Sequence, residues 1–144
     1  CTSLTSVTIG NSVTSIGSYA FRDCASLTSV IIPDSVTSIG EQAFRDCASL
    51  TSVTIGNGVT TIGSHAFGDC TSLRQVYCKP TTPPAICDGN GSNGFNKSFT
   101  LNSNMKIYVP RNSYDDYMQY SSWQTGIYQT NWYRYEQYIA PYDF

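Results

Sequence analysis

The sequence predicts a repeat solenoid, mostly β with short helical or 3₁₀ turns, closed by a C-terminal aromatic cap with one short helix. Three observations carry this. First, CTSLTSVTIGNSVTSIGSYAFRD (1–23), CASLTSVIIPDSVTSIGEQAFRD (24–46) and CASLTSVTIGNGVTTIGSHAFGD (47–69) are near-copies, and a fourth unit opens at CTSLRQVY (70–77). So strict a period belongs to stacks in which each unit buries its apolar face only against its neighbours. Second, the recurring apolar positions, in the second unit Cys24, Leu27, Val30, Ile32, Val36, Ile39, Ala43 and Phe44, step by 3, 3, 2, 4, 3, 4 and 1. No single helix or strand period fits, so the unit turns as it goes. Third, the turn-forming pairs Gly10-Asn11, Pro33-Asp34 and Gly56-Asn57 recur at one place in every unit.

Each element follows in chain order. The only step of two joins Val30 and Ile32, and β-branched residues there favour a short strand, as they do at Val7/Ile9 and Val53/Ile55. After the turn, SVTSI or GVTTI offers a second extended segment with Val and Ile pointing inward. Gly17, Gly40 and Gly63 then precede SYAFRD, EQAFRD and SHAFGD, each expected to form one turn of α- or 3₁₀-helix. Adjacent coils stack at about 4.8 Å, the spacing of paired strands.

The period breaks after Tyr77. Residues 1–95 are read as the solenoid, with coils starting at 1, 24, 47 and 70 and the last widened by a loop rich in Pro, Gly, Asn and Ser; residues 96–144 are the final strand and cap. Ile86 and Phe95 stand in for the Ile and Phe of the fourth coil. Ile107 and Val109 repeat the Val-x-Ile arrangement and add a strand that Pro110 ends. Ser113-Tyr-Asp-Asp116 has the form of a weak capping box, opening a helix over about 113–122 with Tyr114, Tyr117, Met118 and Ser121 inward. Segment 127–139 is a terminal strand or a hairpin arm.

The LxxVxI core (Leu4-Val7-Ile9, Leu27-Val30-Ile32, Leu50-Val53-Ile55), the Cys-x-Ser-Leu opening and the Val-x-x-Ile-Gly-x-x-Ala-Phe closing resemble the BspA-like, or Treponema pallidum-type, leucine-rich repeat. The likeness is close over 1–77 and looser beyond, where VYCKPTTPPAI and KIYVPRNSYDDY are similar to the endings of Bacteroides-type members. The Asn that many leucine-rich repeats place after the strand is absent. The resemblance implies an extracellular or cell-surface bacterial protein concerned with adhesion, its partner a host or matrix protein. It implies no enzyme activity and no cofactor. The chain reads as the C-terminal portion of a longer array.

Charged residues are 12% of the 144 and the net charge is −2, so the electrostatic footprint for nucleic acid is missing. No apolar run is long enough for a membrane span. Cys1, Cys24, Cys47 and Cys70 recur every 23 residues, and side chains stacked in one orientation suit a buried thiol ladder better than disulfides or a metal site. Cys78 and Cys87 either close a ten-residue loop or leave Cys78 facing inward as a strand residue.

Two binding surfaces follow. Outward positions on the expected concave sheet are Ser6, Thr8, Ser29, Ile31, Ser52, Thr54, Gln75 and Tyr77, and they fit an adhesion face and a plain solvated sheet equally. Twelve of the 19 aromatics lie from Tyr108 onward, so Trp123, Tyr128, Trp132 and Tyr135 form either a carbohydrate-binding platform or a cap over the last coil. Asp23, Asp46 and Asp69, stacked beside Arg22 and Arg45, are read as acceptors of backbone N–H groups rather than a Ca²⁺ site. His65 occupies a variable position and is expected to be exposed. No metal set and no catalytic constellation is seen. The reading is a non-catalytic binding or adhesion module. Its alternatives are a structural spacer and terminator of a longer array, and an aromatic carbohydrate-binding cap. Leu4, Val7 and Ile9, on an uncovered first coil, invite end-to-end self-association.

Overall fold

The computed structural model describes residues 1–86, 99–100, 102–118 and 131–144. The Val-x-Ile segments form β2 (Ser29–Ile32), β4 (Ser52–Ile55) and β6 (Gln75–Cys78); the segments after the turn form β1 (Ser15–Ile16), β3 (Ser38–Ile39), β5 (Thr61–Ile62) and β7 (Ala85–Ile86). With β8 (Lys106–Pro110) and β9 (Ile139–Tyr142) they build two all-parallel sheets, ordered β1-β3-β5-β7 and β2-β4-β6-β8-β9. Val30 pairs with Val53, Val53 with Val76 and Val76 with Ile107, so like side chains pile on like. The fold is the solenoid that the period demanded, a leucine-rich-repeat stack.

The core lies between the two sheets. Leu27, Leu50 and Leu73, the inward-facing Val and Ile of the strands, and Ala43 and Ala66 are buried. Phe21, Phe44, Phe67 and Phe99 form a continuous column of stacked rings with centroids 5.0, 5.3 and 5.1 Å apart. Phe99, rather than Phe95, therefore completes the fourth coil; Phe95 lies outside the described residues. Phe99 takes the stacking position on Phe67 although it lies well beyond the 23-residue register.

Threonines tie coil to coil. Thr51 and Thr60 Oγ1 donate to the carbonyls of Thr28 and Thr37, both at 3.0 Å, and Thr37 Oγ1 donates to Thr14 at 3.1 Å. Each hydroxyl thus meets a carbonyl one period away, which gives the Thr-rich composition a structural use.

Two local expectations are corrected. Residues 7–9 do not form a strand, although Ser15–Ile16 of the same coil do. The segments after Gly17, Gly40 and Gly63 are successive turns rather than helix. Tyr19, Gln42 and His65 take φ of 64°, 54° and 52°, and Asp23, Asp46 and Asp69 also lie in the left-handed region. Such residues break a helical run. Backbone hydrogen bonds between coils alternate with local turn bonds: the N–H groups of Tyr19, Phe21 and Asp23 donate to Glu41, Ala43 and Arg45 of the next coil, and those of Ala20 and Arg22 to Gly17 and Tyr19.

The cap begins with a 3₁₀ turn, Arg111–Ser113, and one short helix, α1 (Tyr114–Met118), within the predicted 113–122; Ser121 lies outside the described residues. The stretch read as strand or hairpin arm is mainly a second 3₁₀ segment, Asn131–Tyr138, and the terminal strand β9 follows it. That strand pairs with β8 through Ile107↔Ile139 and extends the main sheet by one member.

Candidate functional site

Strand alternation builds the candidate site. Along β2, β4 and β6, Val30, Ile32, Val53, Ile55, Val76 and Cys78 point into the core, so Ser29, Ile31, Ser52, Thr54, Gln75 and Tyr77 lie on the outer face. Ser6 and Thr8 are exposed on the first coil. All eight predicted positions are therefore open to solvent or half-buried. Ile31 stands out, a β-branched apolar side chain 69% exposed.

The same alternation along β8 and β9 adds residues that the sequence reading did not assign to this face. Tyr108 lies beside Tyr77 in register, and Ala140 beside Tyr108. The Tyr77 and Tyr108 rings stack at 5.0 Å and 17°, and Tyr142 meets them edge-on at 5.6 and 5.4 Å. Phe144 joins at 5.0 Å from Tyr142. Tyr142 and Phe144 are 41% and 53% exposed, so this is an aromatic patch at the surface. Tyr108 was legible from Ile107 and Val109 pointing inward; Tyr142 was not, because nothing in 127–144 announces where β9 begins.

Cations border the patch. Lys79 and Lys106 have no ion-pair partner among the described residues. Arg111 is held to Asp143 by two hydrogen bonds of 2.9 and 3.0 Å. That hydrogen bond keeps the Asp143 carboxyl below the usual range and raises Arg111. Asn57, Lys79, Arg111 and Tyr142 line an open hollow beside the patch, and Ile31, Pro33, Asp34, Thr54 and Lys79 line another.

The second predicted surface divides differently. Trp132 and Tyr135 are 1% and 0% exposed: they are core, not a ring platform. Trp132 Nε1 donates to the Pro84 carbonyl at 2.7 Å, and the rings of Tyr117, Trp132, Tyr135 and Phe99 pack at angles on one another. A ring buried on both faces has no surface to offer a sugar. Trp123 and Tyr128 lie outside the described residues.

Cys24, Cys47, Cys70 and Cys78 are free and buried, Cys1 free and exposed, while Cys87 lies outside the described residues. Cys47 and Cys70 donate to the carbonyls of Phe21 and Phe44, each at 3.2 Å. Burial pushes the Cys78 thiol up to about 12 and raises the Cys24 thiol, and the hydrogen bond with Cys47 together with burial raises Cys70. Protonated thiols in apolar surroundings are packing groups rather than nucleophiles.

The aspartate ladder is corrected. Asp46 and Asp69 pair with arginines of the preceding coil, Arg22 at 3.9 Å and Arg45 at 2.9 Å, rather than capping backbone N–H groups. The inter-coil acceptor is Asp34, whose Oδ1 takes the Asn57 N–H at 2.8 Å. Asp tolerates the left-handed backbone needed where one coil steps to the next. His65 is half-buried, not exposed, with Nδ1 3.0 Å from Ser64 Oγ. Among the described residues no three His, Cys, Asp or Glu side chains gather as a metal site requires, and no helix is long and apolar enough to cross a membrane.

The family model described as the BspA type leucine rich repeat region, in 6 copies, matches residues 1–116. No curated protein matches the sequence. Among solved structures the chain is similar to the pneumococcal vaccine antigen PcpA, at 24% identity and a TM-score of 0.59 over 80% of this chain and 27% of that one. It is also similar to the T. pallidum leucine rich repeat protein TpLRR, at 30% identity and 0.49 over 68% and 46%. A leucine-rich repeat protein of Bacteroides ovatus follows at 25% and 0.45 over 69% and 26%. The chain spans less than half the length of each. At its identity, the PcpA match speaks for the fold alone.

Proposed function

From the premise that this chain belongs to the BspA-type leucine-rich-repeat family, we propose that it is a non-catalytic adhesion module at a bacterial cell surface. It binds a host or matrix protein through the outer face of the five-stranded sheet. One observation carries the reading: Ile31, Tyr77, Tyr108, Tyr142 and Phe144 stand on or beside that face, where a merely solvated sheet would carry small polar groups. Clustered rings exposed beside lysines that have no ion-pair partner among the described residues are the composition of a protein-binding hot spot, not of a solvated wall.

The experiment is attachment to immobilised collagen, laminin and fibronectin. Replacing Tyr77 and Tyr108 together with Glu is expected to lower attachment tenfold or more, about 1.4 kcal/mol, while the circular dichroism spectrum stays that of the parent. Unchanged attachment by a folded variant hands the function to the spacer and terminator reading. That second reading has its own support, since Tyr117, Trp132 and Tyr135 seal the end of the apolar stack.

A further inference from the structure

Asn57 and Gly58 form the middle of the turn between β4 and β5, which Val59 N closes by donating to Gly56 O at 3.2 Å. The first two coils make the same turn around Asn11-Ser12 and Asp34-Ser35, with Val13 N donating to Gly10 O at 3.0 Å and Val36 N to Pro33 O at 3.1 Å. Only the third coil sets a glycine after the asparagine. Packing imposes that glycine: a Cβ there would lie 2.0 Å from the Asp34 carbonyl oxygen and 3.1 Å from that of Val36. Asn57 is exposed, and its N–H is taken by the Asp34 carboxylate at 2.8 Å. Its carboxamide and the Gly58 N–H have no hydrogen-bond partner among the described residues.

We propose that Asn57-Gly58 is a self-modification site, at which the protein converts its own asparagine to aspartate and isoaspartate without an enzyme. Ring closure needs an amide nitrogen outside any hydrogen bond, a carboxamide free to turn onto it, and no side chain between them; this turn supplies all three. The Gly58 nitrogen bonds to Asn57 Cγ, the Cγ–Nδ2 bond breaks, and the amide proton leaves with that nitrogen as ammonia. Water then opens the five-membered imide. Breaking the bond from Gly58 N to Cγ gives aspartate; breaking the bond from Gly58 N to the Asn57 carbonyl carbon gives isoaspartate, with one more atom in the main chain. Either product sets a second carboxylate beside that of Asp34, where like charges oppose each other. Isoaspartate also lengthens a turn whose next residue is fixed to the second coil, since Thr60 N and Oγ1 both donate to Thr37 O, at 2.8 and 3.0 Å. The third coil therefore loosens as the protein ages. Asn57 shares a hollow with Lys79 and Tyr142 at the aromatic patch, so the same change lowers attachment with time. That last step alone rests on the binding face proposed above.

Ageing the intact chain at pH 8, followed by tryptic mass mapping, tests this. Fragment 46–74 holds Asn57 as its one asparagine and fragment 1–22 holds Asn11, the control in the same turn; Asn90-Gly91 and Asn93-Gly94 lie outside the described residues and in a different fragment. Fragment 46–74 is expected to gain about 1 Da and to become a substrate for isoaspartyl methyltransferase. It does so about tenfold or more faster than fragment 1–22, and within about tenfold of its rate in the urea-unfolded chain. Asn57→Gln is expected to keep its starting mass there. The aged chain is expected to melt a few degrees below the fresh one, and Asn57→Asp, which adds the charge without the extra atom, to lose less. Conversion no faster than in fragment 1–22, or far slower folded than unfolded, would overturn the site. An aged chain that melts with the fresh one would overturn the loosening of the coil. If attachment falls with the paired Tyr77 and Tyr108 replacement yet survives ageing, the face stands and its timed loss fails; if neither lowers attachment while fragment 46–74 converts, the face fails and the modification stands.

Discussion

Position 17 of the unit shows how one residue enforces the stack. A Cβ on Gly40 would lie 2.4 Å from Ser18 N, and one on Gly63 would lie 2.5 Å from Glu41 N, whereas the same atom on Gly17 meets nothing within 4 Å. The glycine is there because the coil before it passes too close for a side chain, not because its own turn demands it. Gly63→Ala is therefore expected to destabilise by about 2–4 kcal/mol, in the range of overpacked or strained sites, and Gly17→Ala by less than about 1 kcal/mol. Urea midpoints of the two variants check this, and equal losses would refute the close approach. Two positions later the chain turns left-handed with Tyr, Gln or His. Variation at that position looked like freedom, yet it is freedom of side chain only, since φ stays between 52° and 64°.

Among the elements, legibility followed periodicity. β2, β4 and β6 could be read because a step of two between β-branched residues recurs in register, and a recurring inward pair fixes the outward pair as well. The first row of the candidate site came with it. The turn segments were misread as helix because Ala-Phe between polar residues suits one helical turn locally, while hydrogen bonding to the next coil outweighs that preference. The cap was unreadable in detail because it occurs once, and a single copy has no register to check it against. Its anchors are specific. Tyr117 is fully buried in α1 and donates to the Pro80 carbonyl at 2.6 Å, with Cys78 Sγ 3.5 Å away. Tyr117→Phe keeps the ring and leaves that carbonyl unpaired, an expected cost of about 1–3 kcal/mol. Thermal unfolding followed by circular dichroism measures it. A variant as stable as the parent would show that the hydroxyl does not hold the cap.

Over the whole molecule, each coil touches only its neighbours, and one apolar interior runs from the first coil to the cap without a charged residue in it. Two titratable groups at the cap end of that interior, Cys78 and Tyr117, are acids held neutral. Cys78 is displaced from 9.0 to about 12 by burial, and Tyr117 is raised above 10.0 by burial and the nearby thiol. A folded-state pKa above the unfolded one means that the fold retains a proton which the open chain gives up. The stabilisation is complete below pH 9 and is lost as pH rises from 9 towards 12. Each such group lowers stability by about 1.4 kcal/mol per pH unit across its window. Urea unfolding at pH 7, 8, 9, 10 and 10.5 is expected to show a plateau to about 9 and then a fall. Cys78→Ala, less stable at neutral pH because of its cavity, is expected to show a shallower fall, since Tyr117 still titrates but the thiol is gone. A parent curve flat to pH 10.5 would place these side chains in contact with water, and a stack whose interior admits water at the cap end is not sealed there.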